Sequence, residues 1–225
     1  MPNARIQIGG RTLARGEHIS DLEVAHVDLA QCWCADGPPD DMRPTLSNIR
    51  VKDVRLNRTT LGGAVVRDVT VDGVRGDSAS KFMFGNQFER VAVKGRVGVL
   101  VLNIKHSQPE YVDEYAPVLK AAEAATDWTL DISEAVGSVE IRGYSADKIR
   151  RNPETQVVVR RENLADGRWR DIDLETTAFG ISMEHVFTYG WQDTILVADP
   201  TRKAKYPAEL RVIQRLRDEG IADLA

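Results

Sequence analysis

The chain has 225 residues, 42% of them hydrophobic and 28% charged, with 30 Lys and Arg against 34 Asp and Glu. That length supports one large domain or two small ones, and a formal net charge of −4 excludes the strong basic field of a non-specific nucleic-acid binder. No apolar run is long enough to span a bilayer, and the start MPNARIQIGG lacks a signal-peptide pattern. The expectation is a cytoplasmic protein with no membrane partner.

From residue 22 the sequence pulses in fives: LEVAH, VDLAQ, CWCAD. The frame resumes at residue 49 as IRVKD, VRLNR, TTLGG, AVVRD, VTVDG and a partial VRG. First positions hold Ile49, Val54, Thr59, Ala64, Val69 and Val74; third positions hold Val51, Leu56, Leu61, Val66 and Val71. Neither a 3.6-residue nor a sustained two-residue period describes this. Residues two apart in a strand share a face, so an inward–outward–inward triplet followed by a corner does. Asp53, Gly63, Asp68, Gly73 and Gly95 suit such corners. Four frames make one turn, so Ile49 should stack on Val69. A run of short antiparallel strands is the competing expectation.

Downstream, the run Phe82 to Phe88 interrupts the frame and reads as a loop, or as packing against a helix. Residues 107–127 read as an Ala-rich helix, with Pro117 marking its start or a kink. It would be an insertion between turns. The runs TQVVVRR, WRDIDLE, GISMEHVFTYG and DTILVAD read as strands, with Asp166-Gly167 as a hairpin turn. Residues 207–225 read as an amphipathic helix stopped near Gly220.

Through these frames, residues 20–104 resemble the pentapeptide-repeat family of right-handed parallel β-helices. The match lies in the central Val51, Leu56, Leu61, Val66 and Val71 and in the small Thr59 and Ala64 two places earlier. The centre here is often Val where that family favours Leu or Phe. The Asp or Asn that family has just before the centre is replaced by Arg50, Arg55, Thr60, Val65 and Thr70. The resemblance implies a mainly β fold: a short right-handed solenoid over 1–106, a helical insertion over 107–127, and last turns, strands and a terminal helix over 128–225. It implies nothing definite about function.

Chemistry-bearing residues are sparse. Cys32-Trp33-Cys34 lacks a second Cys pair or spaced His, so packed thiols are expected, with Trp33 outward and no metal. The four His are scattered, and no nucleophile elbow, phosphate loop or dinucleotide fingerprint is present. Asp53, Asp68 and Asp72 with Arg67 and Lys81 could line a sugar-cutting groove, but read more simply as corners and solvated charges. No catalytic residue and no cofactor are assigned. The expected role is a protein-binding scaffold, of immunity or inhibitor type, using Arg50, Arg55 and Arg75 on its outer faces, with Arg55 and Arg75 stacked. Trp33, Tyr189 and Trp191 are the aromatic contact candidates. A β-helix enzyme acting on a carbohydrate and a self-associating structural subunit are the alternatives.

Overall fold

The computed structural model describes residues 5–76 and 81–223. Seven parallel strands in the order β1-β3-β5-β7-β9-β10-β12 form the main sheet: β1 (Ile6–Gly9), β3 (His18–Ala30), β5 (Thr45–Asn57), β7 (Val65–Gly76), β9 (Gln87–Asn103), β10 (Leu130–Asp131) and β12 (Ile149–Arg150). Shorter strands flank it: β2 (Thr12–Leu13) pairs with β4 (Trp33–Cys34), β6 (Leu61–Gly62) with β8 (Lys81–Phe84), and β11 (Ala135–Arg142) with β9. The antiparallel expectation is thereby excluded for this half of the chain.

The five-residue frame becomes a backbone fact. Asn48, Asp53, Arg58, Gly63, Asp68 and Gly73 all have positive φ, as do Asp21, His26, Gln31, Gly85, Arg90 and Gly95. Each closes a frame. The first six run through the chain at five-residue intervals, and the left-handed residues within the paired strands drop out of the ladder. Between them the triplets stay in register. Leu22, Ile49, Val69, Val91, Leu130 and Ile149 form one continuous column, and Ile49 sits on Val69 as the spacing demands. Valine and isoleucine suit this role, because their branched side chains pack well on a pleated surface.

Burial along that column is graded. Leu22 is 42% exposed, Ile49 intermediate, Val69 6%, Val91 4% and Leu130 fully buried. Among the described residues, the N-terminal end of the stack is therefore open and the C-terminal end closed. Closure comes from β13 (Gln156–Arg160) and β14 (Asp193–Val197), an antiparallel pair. Alternation lets this pair serve two cores. Val158, Ile195 and Val197 join the core of the parallel sheet, while Val157, Val159 and Leu196 join a second core with the C-terminal helices.

Helix α1 (Val112–Ala125) is inserted between β9 and β10, as expected, with Pro117 inside it rather than at its start. Its Tyr115 is buried and donates to the carbonyls of Gly37 and Gly63. Helices α2 (Arg161–Leu164), α3 (Phe179–Tyr189) and α4 (Tyr206–Asp218) complete the second core. The helix expected to reach Ala225 ends at Asp218, with Gly220 at φ 65° just beyond; residues 224 and 225 lie outside the described residues.

Three expectations are corrected. Phe82–Phe84 belongs to β8, and Gln87 and Phe88 open β9, so this run continues the sheet. GISMEHVFTYG is helix α3, because Phe179, Met183 and Val186 fall three and four apart and are buried together. WRDIDLE forms a 3₁₀ turn around a buried Trp169, and Asp166-Gly167 leads into it rather than joining two strands.

Candidate functional site

One outer face of the sheet carries the register column Gln7, Asp28, Arg55 and Arg75. These are the outward members of the triplets whose inward members are Val27, Val54 and Val74. Arg55 and Arg75 stack as expected, but not as a bare basic ladder. Asp53, at the left-handed corner, accepts hydrogen bonds from His26 at 2.9 Å, from Arg75 Nε at 3.0 Å and from Arg5. The His26 bond, then Arg75 and Arg5, holds its carboxyl well below the usual carboxylate range. Asp28 is likewise lowered, first by Gln7 and then by Arg5. Arg55 lies 3.8 Å from Asp28, a looser pairing.

Arg58 follows at the next left-handed corner. Together with Ala30, Gln31, Arg55, Asn57 and Gly76 it lines a shallow depression on this edge. Among the described residues, three guanidiniums, Arg5, Arg55 and Arg75, thus gather around two carboxylates, Asp28 and Asp53, with Arg58 at the neighbouring corner. Arg50 is exposed but sits on the other side of Asp53, in register with Glu23 and Thr70. The structure does not place it with Arg55 and Arg75.

Beyond the Gln31/Arg58 corner the next face turns aromatic. Trp33 points outward as its frame position requires and is 48% exposed. It is in register with Thr12, and the Thr60 amide bonds the carbonyl of Cys32 beside it. Phe82, one residue before the Leu61–Met83 pair, continues the row at 38% exposure. Phe84 stacks on Phe82 with centroids 5.7 Å apart and planes 5° from parallel. Two exposed aromatics therefore lie one corner away from the arginines. Arg5, Asp28, Arg58 and Phe82 were not among the contact candidates marked from the sequence. The outward second position of each frame was the signal that could have found Asp28, and the Phe82–Phe84 alternation was the signal for β8.

Tyr189 and Trp191 lie elsewhere. Tyr189 ends α3 and Gly190 follows with φ 70°, the ordinary left-handed helix stop. Trp191 is 8% exposed, its indole lying against Gly143, and it stacks on Tyr189 at 5.0 Å. Lys105 sits 5.6 Å from the Tyr189 ring centroid. This group is the joint between the parallel sheet and the C-terminal unit, with only Tyr189 and Lys105 presented outward.

The remaining candidates are structural. Asp68 pairs with Arg90 and Arg67 with Glu89, and Asp72 faces Lys94 in register, so these carboxylates are matched to cations along the sheet. Cys34 is buried, which pushes its thiol up to about 11, and Cys32 faces the interior. Among the described residues no cluster of His, Cys, Asp and Glu fits a metal ion. No helix among them is long and apolar enough to cross a membrane. No known protein family matches the chain, nor does any curated protein or solved structure.

Proposed function

We propose that the chain is a four-sided, right-handed parallel β-solenoid, like those of pentapeptide-repeat proteins, acting in the cytoplasm as a non-enzymatic protein-binding scaffold of immunity or inhibitor type. The architectural part is supported by the left-handed residue at every fifth position and by the twenty-residue return from Ile49 to Val69. Each left-handed residue turns one corner, so four triplets make one coil.

The binding part rests on one observation: Trp33 and Phe82 stand exposed across a single corner from Arg55, Arg58 and Arg75. Tryptophan and arginine dominate interface hot spots, where a broad apolar anchor is combined with directional charge. A rigid sheet holds the backbone beneath such side chains, so binding carries no loop-ordering cost. The matching partner is a protein surface with an apolar recess flanked by carboxylates. The carboxylates of this face are held by guanidiniums, which suits a positioning role better than acid–base catalysis.

Affinity capture from host lysate tests the reading by comparison. The wild-type chain should retain a stoichiometric protein that Trp33→Asp loses and Arg55→Glu with Arg75→Glu loses, while the remote Arg211→Glu keeps it. Equal capture by all four chains, or capture by none, would overturn the assignment of this surface.

A further inference from the structure

The interior of the stack contains an apolar cavity of about 300 Å³. Its walls run from Ile8 and Leu13 at the N-terminal end to Leu130 deep in the core, and among the described residues Arg11 is the only charged side chain lining it. Packed interiors rarely hold voids much larger than a water molecule. This one has a cause in the sequence: Val24, Val51, Val71 and Val93 occupy one inward column in register. The adjoining face holds Leu29 and Leu56 at equivalent positions. Four short side chains in line leave a continuous gap along the stack.

The shape follows from strand spacing. From β1 to β9 there are four steps of about 4.8 Å, or roughly 19 Å. A ten-carbon chain extends over roughly 12 Å of that length, where the volume gives a cross-section of roughly 25 Å², about 5 Å across, room for one carbon chain and not two. The mouth is at the N-terminal end, where Ile8, Leu13 and the charged Arg11 of the first level line the cavity. Arg11 stands there, half exposed and paired with Glu17.

We infer that this cavity binds a single-chain aliphatic carboxylate, tail first, with the carboxylate held at the mouth by Arg11. An apolar cavity of this kind stays dry, so the tail displaces no ordered water. A methylene takes about the ~30 Å³ of a liquid water, so the volume suits a chain of about ten carbons. The cavity lies inside the stack, and Trp33 is the one residue of the outer binding surface that also lines it, so its test uses variants other than Trp33.

Calorimetric titration of the full chain with hexanoate, octanoate and decanoate tests this. Each added methylene should tighten Kd roughly fourfold, about 200-fold over the series. Extension from decanoate to tetradecanoate should add less than twofold, because the cavity is full. Val51→Leu with Val71→Leu fills the gap and should weaken decanoate at least tenfold while leaving the circular dichroism native. If the pair misfolds, Val71→Leu alone serves, with a smaller loss. Arg11→Gln should weaken decanoate but not decanol. Binding without chain-length dependence, no binding, or natively folded filled variants that bind like wild type would overturn the inference.

Discussion

The two ends of the parallel sheet are built from the same kind of inward column and finish differently. At the C-terminal end Leu130, Ile132 and Ile149 are buried beneath β13 and β14, whose two faces alternate between both cores. At the N-terminal end Ile6, Ile8 and Leu22 have the same inward placement and remain partly exposed. The difference shows that the five-residue frame sets direction only. Burial is conferred by what covers the last level, here a sheet-and-helix unit at one end.

The largest expected break in this comparison comes from equivalent truncations in one column. Leu130→Ala should cost about 3 kcal/mol in urea unfolding, because a fully buried leucine leaves a cavity. Leu22→Ala, four levels away, should cost under about 1 kcal/mol. Equal costs would mean the two ends are equally covered.

The corners give the next effect. Gly63 has φ 67°, and a Cβ there would lie 2.7 Å from the Tyr115 hydroxyl and 3.0 Å from His106 Nε2. Gly63→Ala should therefore destabilise by about 2 kcal/mol in thermal unfolding. Gln31→Gly, at φ 55° on an exposed corner, should instead stabilise by about 0.5 kcal/mol.

A smaller effect sharpens the electrostatics of the open half. The Asp53 carboxyl is lowered in the folded state, so its contribution is fully present above its unfolded value near pH 4. That contribution falls away as acid protonates it towards its lower folded value. Asp53→Asn should flatten the acid limb of stability, followed by urea unfolding against pH, below about 4.

The stack between residues 49 and 76 was legible because four of its five complete frames close on Asp or Gly, which accept left-handed φ, and all but the Thr59 frame open on an aliphatic residue. The step from Leu22 to Ile49 was harder to read, since the chain between Cys34 and Thr45 adds a loop that breaks the twenty-residue return. Helix α3 was misread because Phe179, Ile181, Val186 and Phe187 also suit a strand; only packing on Leu196 and Ile213 in the second core decides for the helix. Arg55 and Arg75 were found from spacing alone. The Asp53 hub joining Arg75 to Arg5 and His26 was not, because Arg5 lies 48 residues upstream of its partner.

Amide hydrogen exchange followed by mass spectrometry tests the central claim most directly, since it reads the stack level by level. The graded burial predicts protection rising from β1 and β3 through β5 and β7 to a maximum in β9, β11 and the β13–β14 pair. Uniform protection across all levels, or stronger protection at β1 than at β9, would contradict an open N-terminal end.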